Sequence, residues 1–253
     1  MDSVRKRYQG VWNIVRFNWH YYVLSLIFLV LVLLFQNNLN TSLRMASHIL
    51  CLLILCLTFV SLLVSMYVYD FSGLYNFSWL ESLKQGEERV VNINAGFDET
   101  SALFKTKFRN SELLVFDFYN PEKHTEVSIK RARKAYPPFP GTQQVTTDHL
   151  PLQAASVDKV FAILSAHEIR NDKERIAFFK EIERVLKSSG LVVVTEHMRD
   201  TANFLAYNIG FLHFHSRANW LHTFQVSGLT VDKEIKTTPF ITTFILEKNG
   251  ATI

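Results

Sequence analysis

The sequence predicts an α/β fold: an open, mostly parallel sheet of seven strands with an antiparallel last strand, preceded by two membrane-spanning helices. Two long uncharged apolar runs fill the first third of the chain. From residue 88 onward, short apolar segments alternate with amphipathic ones, and two adjoining strand-like segments close the chain. Such alternation is typical of a sheet with helices on both faces. A length of 253 residues suits one such domain and a small additional part.

The apolar runs are Tyr21–Phe35 and Met45–Tyr69, separated by a short polar turn. With its aromatic flank the first run reaches about the 20 residues that a spanning helix needs, and the second is long enough without it. We interpret them as a transmembrane hairpin. A cleaved signal peptide fits poorly, because no small-residue cleavage site follows the first run. Two buried core helices without a polar face would need a much larger protein around them.

Basic residues predict how the hairpin is oriented. Four of them precede the first run, whereas the turn carries only Arg44. The positive-inside rule therefore places the N-terminus and everything after the hairpin in the cytoplasm. The predicted parts of this two-pass integral membrane protein are a basic N-terminal segment (1–20), the hairpin (21–69), a juxtamembrane linker (70–87) and an α/β domain (88–253).

The seven strands are predicted from apolar segments bounded by turn residues. They are RVVNIN, ELLVFDF, TQQVTTD, VDKVFAILS, LVVVTEH, LTVDKEIKTTP and FITTFILEKN. The intervening helices are DETSALFKTKF, EKHTEVSIKRARKAY, DKERIAFFKEIERVLKSSG and a stretch from about Thr201 to Val226. The ligand site of such a sheet lies beyond the carboxyl ends of its strands.

Polar residues and small side chains collect at those strand ends. The candidates, in strand order, are Asn92, Asn94, Ala95, Gly96 and Asp98; Asp117 and Phe118; Asp148 and His149; Leu164, Ser165 and His167; and His197. An acidic group such as Asp117 at the second strand can accept hydrogen bonds from both hydroxyls of a ribose. The strand ends therefore predict a nucleoside-type cofactor.

Two segments carry a resemblance to a known family. TTDHLPLQAASVDKVFAILSAHEI and FFKEIERVLKSSGLVVVTE resemble the class I S-adenosylmethionine-dependent methyltransferases, close to the ubiquinone/menaquinone type. The resemblance covers about residues 88–249 and implies a Rossmann-like fold with S-adenosyl-L-methionine as the cofactor. In the second segment Ser188, Ser189 and Gly190 stand in place of the family's Pro-Gly-Gly turn.

The resemblance also implies roles for individual residues. Asp117 would hold the ribose and Phe118 would lie along the adenine. Asp148 would accept from the adenine amino group, with His149 beside it. Leu164 and Ser165 would line the methionine end of the cofactor. The first loop would be formed by Asn92, Asn94, Ala95, Gly96 and Asp98.

This first loop departs from the family pattern, which is rich in glycine. Asn92 replaces an acid, Asn94 the first glycine and Asp98 the last one. Asparagine tolerates a positive φ, so Asn94 can hold a turn. Asp98 and Glu99 either accept from the cofactor's ammonium group or only cap the following helix, and the sequence leaves both possibilities open. Two carboxylates at a helix N-terminus repel a pyrophosphate, which disfavours a nicotinamide dinucleotide.

The predicted acceptor pocket lies in TANFLAYNIGFLHFHSRANWLHTF. Its apolar residues are Phe204, Tyr207, Phe211 and Phe214. Beside two membrane spans, such a pocket suits a hydrophobic or lipid-like acceptor. The alternative is an ordinary core stripe at helical spacing.

Histidines supply the candidates for acid–base chemistry. His167 and His197 follow strands at the expected site, and histidine titrates near neutral pH; otherwise they only orient loops. The pair His213 and His215 offers two metal ligands and no nearby cysteine completes a set, so no metal site is predicted. The basic cluster Lys130–Lys134 suits membrane lipids better than nucleic acid, for which no aromatic-interleaved motif is present.

The sequence thus predicts a membrane-anchored methyltransferase that acts on a hydrophobic or membrane-resident acceptor. The alternative is a catalytically inactive binding module that keeps the methyltransferase fold in a membrane complex. The glycine-poor first loop is the feature that separates these two hypotheses.

Overall fold

The computed structural model describes residues 5–77, 80, 86 and 88–250, so part of the predicted linker 70–87 lies outside the described residues. Three helices precede the sheet: α1 (Gln9–Phe17), α2 (Trp19–Phe35) and α3 (Thr41–Met66). A single π-helical turn, Tyr67–Phe71, continues α3.

Helices α2 and α3 are long and apolar enough to cross a membrane, by length and composition. Only Ser65 is buried among the residues of the two helices, and large side chains such as Leu34 and Phe59 are exposed. The helices are therefore not the packed core of the α/β domain. The orientation of the hairpin stays a prediction.

The sheet confirms the predicted fold class. Its seven strands are ordered β3-β2-β1-β4-β5-β7-β6. They are β1 (Arg89–Asn94), β2 (Glu112–Asp117), β3 (Gln143–Gln144), β4 (Val157–Ile163), β5 (Leu186–His197), β6 (Leu229–Thr238) and β7 (Ile241–Lys248). The first five strands pair in parallel, while β7 is antiparallel to both β5 and β6. The strand order reverses between β1 and β4, the position where open α/β sheets bind ligands.

Five helices complete the domain. They are α4 (Ser101–Lys107), α5 (Val127–Ala135), α6 (Asp172–Val185), α7 (Thr201–Tyr207) and α8 (Arg217–Val226). The helical stretch predicted from Thr201 to Val226 is interrupted by the 3₁₀ segment Asn208–His213. The break coincides with Asn208, whose φ of 53° is left-handed and cannot continue an α-helix.

The second deviation from the predicted boundaries is at β5. The predicted turn Ser188–Gly190 lies inside this strand, which begins at Leu186. A Cβ at Gly190 would come within 3.0 Å of the Asp158 carbonyl oxygen and 2.8 Å of Leu186. The glycine is therefore needed for close approach to β4 rather than for a turn.

Alternation along the strands divides the core between the two faces of the sheet. On one face Val91 and Ile93 pack in a cluster with Phe178 and Phe179 of α6. On the other face Val90 belongs to a cluster with the rings of Phe104 and Phe161, among others. Burying both faces fixes the register of β1 and so the position of the loop that follows it.

The predicted N-terminal segment folds onto the domain as α1. The Asp70 carboxylate accepts hydrogen bonds from the backbone N–H groups of Gly10 (2.8 Å) and Val11 (2.9 Å), which caps the helix from the end of the hairpin. At the other end of α1, the Phe17 ring packs edge-on against Phe97 and Tyr136. Helix α1 thus bridges the π-helical turn Tyr67–Phe71 and the loop after β1.

Candidate active site

The loop after β1 is held by its own side chains. The Asn94 Oδ1 atom accepts a hydrogen bond from the Gly96 backbone N–H at 2.8 Å, and Gly96 has a φ of 86°. This φ lies in the region that favours glycine. Asn94 closes the turn that a glycine would otherwise make.

The two acids of the loop have different partners. Asp98 Oδ1 accepts from the backbone N–H groups of Thr100 and Ser101, each at 2.9 Å, at the start of α4. Glu99 instead accepts from Tyr75 at 2.9 Å and forms a salt bridge with Arg5 at 2.7 Å. Asp98 therefore caps the helix with one oxygen, and Glu99 anchors the N-terminal segment.

Three buried polar atoms around this loop have no hydrogen-bond partner among the described residues: Asn92 Oδ1, Asn94 Nδ2 and Asp98 Oδ2. Such atoms are rare in folded proteins, and each calls for an explanation such as a functional role, strain, or a bound water or ion. The set offers one amide donor and two oxygen acceptors. These groups fit a carboxylate and an ammonium group, the two polar ends of an amino acid.

The end of β2 supplies the acid beside this loop. Asp117 is paired with Asn94 in the parallel register of β1 and β2. Its Oδ1 accepts from the Tyr119 backbone N–H at 2.8 Å, and its Oδ2 forms a salt bridge with Arg133 of α5. The carboxylate is nearly fully buried at the predicted cofactor site.

Arg133 lies across the space between Asp117 and Gly96. A Cβ on Gly96 would overlap the guanidinium group, which also stacks on the Tyr119 ring at 4.5 Å. In the sequence, nothing separates Arg133 from its basic neighbours in Lys130–Lys134. The one available indication was its position on α5, the helix that follows Asp117, the predicted ribose-binding acid.

The other residues predicted to contact the adenine ring, Phe118, Asp148 and His149, differ in their burial. Phe118 is buried in the core, 5.2 Å from the Phe178 ring. Asp148 and His149 are exposed in the turn after β3, where a hydrogen bond from Thr146 lowers the pKa of the Asp148 carboxyl. Their contact with an adenine ring stays a prediction.

The turn after β4 is strained. Leu164 has a φ of 51°, which is uncommon for any residue but glycine, asparagine or aspartate. Its N–H donates to the Thr195 carbonyl oxygen at 2.8 Å, and the next hydroxyl, Ser165 Oγ, donates to the Ile93 carbonyl oxygen at 2.9 Å. The turn is thereby tied to both neighbouring strands, beside the loop after β1. Ala95, in that loop, is also buried.

Glu196, at the end of β5, binds the backbone of this turn. Its carboxylate is fully buried and accepts from the backbone N–H groups of Ser165 (3.1 Å) and His167 (3.2 Å). Its other oxygen binds His167 Nδ1 at 2.6 Å. Three donors thus compensate the cost of burying this charge.

His167 carries a proton in this environment. Burial alone lowers its pKa, but the neighbouring carboxylates of Glu196 and Glu168 outweigh burial and raise the pKa to about 10. An imidazolium can donate a proton or balance a negative charge, whereas a general base must be neutral. The predicted role of His167 as a base therefore requires the loss of this proton.

His197 is held in the opposite state. Burial lowers its pKa to about 4, so the ring is neutral. Its Nε2 lies 2.8 Å from the Tyr69 hydroxyl and its Nδ1 lies 3.0 Å from Asn203 Oδ1. Both ring nitrogens are engaged, and through Tyr69 the ring joins the π-helical turn to the end of β5. Its catalytic role stays a prediction.

The predicted aromatic pocket residues form two pairs. Tyr207 and Phe214 lie against the His197 ring, with Phe214 stacked on it at 4.6 Å. Phe204 and Phe211 contact each other at 5.1 Å farther out, and Phe204 is exposed. Only the first pair is placed beside the strand ends.

The side chains of His213 and His215 have different neighbours. His215 is buried and points to Arg175, 3.2 Å from its Nη1, and burial lowers the pKa of His215 to about 3. His213 turns the other way, so that its ring centre lies 5.0 Å from that of His167. The neighbours of His213 are Glu126 and Glu168.

Residues 84–194 match a family model described as a methyltransferase domain. Over these residues the chain is similar to methyltransferase domains. No curated protein matches the chain. Among solved structures, a methyltransferase from Aquifex aeolicus aligns at 15% identity with a TM-score of 0.51, over 71% of this chain and 94% of its own. That protein is described as a SAM-dependent methyltransferase, where SAM is S-adenosylmethionine.

A second solved structure extends the comparison of the methyltransferase domain. The geranyl diphosphate C-methyltransferase from Streptomyces coelicolor aligns at 12% identity with a TM-score of 0.51, over 74% of this chain and 82% of its own. Its complex holds Mg²⁺, geranyl diphosphate and S-adenosylhomocysteine. At these identities the comparisons establish the fold, which is that of class I methyltransferases.

Replacing Glu196 by Gln is expected to lower the pKa of His167, because the carboxylate is the strongest of the influences that raise it. Histidine NMR titration of the full chain in detergent measures this pKa, with the His167→Gln spectrum assigning the resonance. The matched control is Glu183→Gln, on α6, where the acid pairs with Lys248 instead. An ordinary His167 titration in the unmodified protein, or no change in Glu196→Gln, would contradict the assignment.

Proposed function

We propose that this chain is a membrane-anchored methyltransferase that uses S-adenosyl-L-methionine to methylate a hydrophobic or membrane-resident acceptor. The observation that carries the proposal is the set of unpartnered buried atoms on Asn92, Asn94 and Asp98, next to the Asp117 carboxylate. The cofactor, when bound, supplies an activated methyl group. The protein's own contribution is to bind and orient it.

In this proposal, each polar part of the cofactor meets one group of residues. The amide of Asn94 suits the α-carboxylate, and the oxygens of Asn92 and Asp98 suit the α-ammonium. Asp117 suits the two ribose hydroxyls once its Oδ2 is released from Arg133. Leu164 and Ser165, in the strained turn, would line the methionine end.

The charge of the loop supports the same cofactor. Asp98 places a carboxylate at the start of α4, where a dinucleotide would present its pyrophosphate. Like charges at that distance repel each other. S-adenosylmethionine has no phosphate and carries cationic groups, so this loop tolerates it.

The acceptor side supports a membrane-resident substrate. Helix α7 packs against α3, and the following 3₁₀ segment exposes Ile209 (83%) and Leu212 (53%) next to Leu205 (64%). Exposed apolar groups clustered beside a long apolar helix are typical of a surface that meets lipid. Tyr207 and Phe214 lie on the inner side of this surface, between it and His197.

Isothermal titration of the full chain in detergent with S-adenosylmethionine tests the proposal. We expect saturable binding, and a loss of at least about tenfold in affinity in Asp117→Asn, since a hydrogen bond to a charged group contributes about 1.5–3 kcal/mol. Asp232→Asn, on the exposed strand β6, is the matched control. Absence of binding at millimolar cofactor would rule out the proposed enzyme and leave the binding-module hypothesis. Equal affinity in Asp117→Asn would refute the site assignment.

Arg133→Ala is expected to tighten cofactor binding by about tenfold, because the guanidinium competes with the ribose for Asp117 and fills the space above Gly96. The same titration measures this, with Lys130→Ala on the exposed face of α5 as control. Weaker or unchanged binding in Arg133→Ala would mean that the guanidinium does not compete with the cofactor.

Membrane anchoring predicts that the chain stays in the membrane pellet after alkaline carbonate washing and is released only by detergent. The physical reason is the apolar surface of α2 and α3, which water solvates poorly. Those washed membranes, incubated with methyl-labelled cofactor, are expected to carry label into the organic phase of a lipid extract. Release of the chain by carbonate would contradict anchoring, and label confined to the aqueous phase would contradict the acceptor class.

A further inference from the structure

A second cluster of ligating side chains lies beside the proposed cofactor site, formed by His167, Glu168 and His213. Glu168 Oε1 is 3.5 Å from His167 Nε2 and 3.8 Å from His213 Nε2. These three atoms lie within 4.8 Å of one another. Tetrahedral coordination at Zn²⁺ bond lengths places ligand atoms about 3.3 Å apart, so small side-chain movements would complete the set.

Each histidine in the cluster has a carboxylate on its other ring nitrogen. Glu196 binds His167 Nδ1 at 2.6 Å, and Glu126 lies 3.1 Å from His213 Nδ1. Metal-ligating histidines almost always carry such a partner, because it fixes the ring orientation and makes the ligating nitrogen more basic. At His213, Arg170 Nη1 also lies 3.2 Å from Nδ1. Both Nε2 atoms are directed toward Glu168, and metal binding would displace the proton that His167 otherwise carries.

Glu168 supplies an independent observation. Its side chain is 7% exposed, and its Oε2 atom is buried without a hydrogen-bond partner among the described residues. A buried carboxylate oxygen is costly unless it meets a cation or a donor. The unpartnered Oε2 atom thus belongs to Glu168, the residue toward which both histidine Nε2 atoms are directed.

The backbone around His213 is held in place by two arginines. Arg170 donates to the His213 carbonyl oxygen, and Arg199 donates to the carbonyl oxygens of Phe214 (2.8 Å) and Leu212 (2.8 Å). The ligand from the 3₁₀ segment is therefore fixed relative to the turn after β4. Preorganised ligands of this kind distinguish a metal site from a chance cluster of charges.

We propose that His167, Glu168 and His213 form a binding site for a divalent transition-metal ion of the zinc class. Two histidines and one carboxylate leave a fourth position for water, which is the pattern of catalytic rather than structural zinc sites. The His167 and His213 side chains are 13% and 23% exposed, so this position faces the open side of the domain. The metal site rests on side-chain geometry alone; an acceptor oxygen as the fourth ligand rests on the proposed function.

Zinc binding to the full chain in detergent tests the site. The protein is stripped with chelator, carries no histidine tag, and is titrated with Zn²⁺ against a chromogenic chelator in the absence of S-adenosylmethionine. We expect one Zn²⁺ per chain, with affinity lowered at least about tenfold in both His213→Ala and Glu168→Gln. Glu196→Gln, which neutralises the carboxylate that binds His167 Nδ1 and the backbone N–H groups of Ser165 and His167, is expected to weaken binding by about 10–100-fold.

The matched control is His222→Ala, an exposed histidine on α8 that is expected to leave the zinc affinity unchanged. Co²⁺ substitution adds a geometric readout, because intense visible absorption indicates tetrahedral coordination, and His213→Ala should remove it. No stoichiometric Zn²⁺, or equal affinity in the unmodified, His213→Ala and Glu168→Gln proteins, would overturn the site. Cofactor titration of the same samples keeps the two proposals apart, since none of these residues touches Gly96 or Asp117.

Discussion

The site depends on one buried charge, the carboxylate of Glu196 at the end of β5. It accepts two backbone N–H groups from the turn after β4 and the Nδ1 of His167. A carboxylate without exposure to water is tolerated only with such a complete set of donors, so the turn and the histidine have little freedom to move. The same turn carries the left-handed Leu164, and Ser165 ties it to β1. Glu196 thereby helps to fix the ends of β1, β4 and β5 relative to one another.

Around this fixed point the loop after β1 is held by side chains that bind one another. Asn94 makes the turn, Asp98 caps α4, and Asn92 donates to Thr100 and Ser101 at 2.9 and 2.7 Å. Each of the three keeps one polar atom unused and buried. A loop that had lost its ligand would be expected to satisfy these atoms internally, because each unpaired group costs about 1–3 kcal/mol. The unused atoms favour a site that still binds, although Arg133 now lies across it.

The sequence was sufficient for the fold because both faces of the sheet are apolar and the segments alternate regularly. The sequence predicted β1, β2, β4 and the closing pair of strands. Of the predicted third strand, TQQVTTD, only the exposed residues Gln143–Gln144 form β3. The sequence missed the clusters made by residues far apart in the chain. Arg133 of α5 pairs with Asp117 at the end of β2, and Glu168, after β4, lies near His213. Neither contact follows a periodic pattern or a short spacing that could be recognised in the sequence. The sequence presents His213 and His215 as a local pair, whereas in the fold His215 contacts Arg175 and His213 lies beside His167.

The most direct test of the account is a structure of the full chain determined with S-adenosylhomocysteine. We expect that the Arg133 guanidinium has left the space above Gly96, that Asp117 binds the ribose hydroxyls, and that the amino-acid end of the ligand contacts Asn94 and Asp98. An intact Asp117–Arg133 pair with the ligand bound elsewhere, or no ligand at saturating concentration, would contradict it.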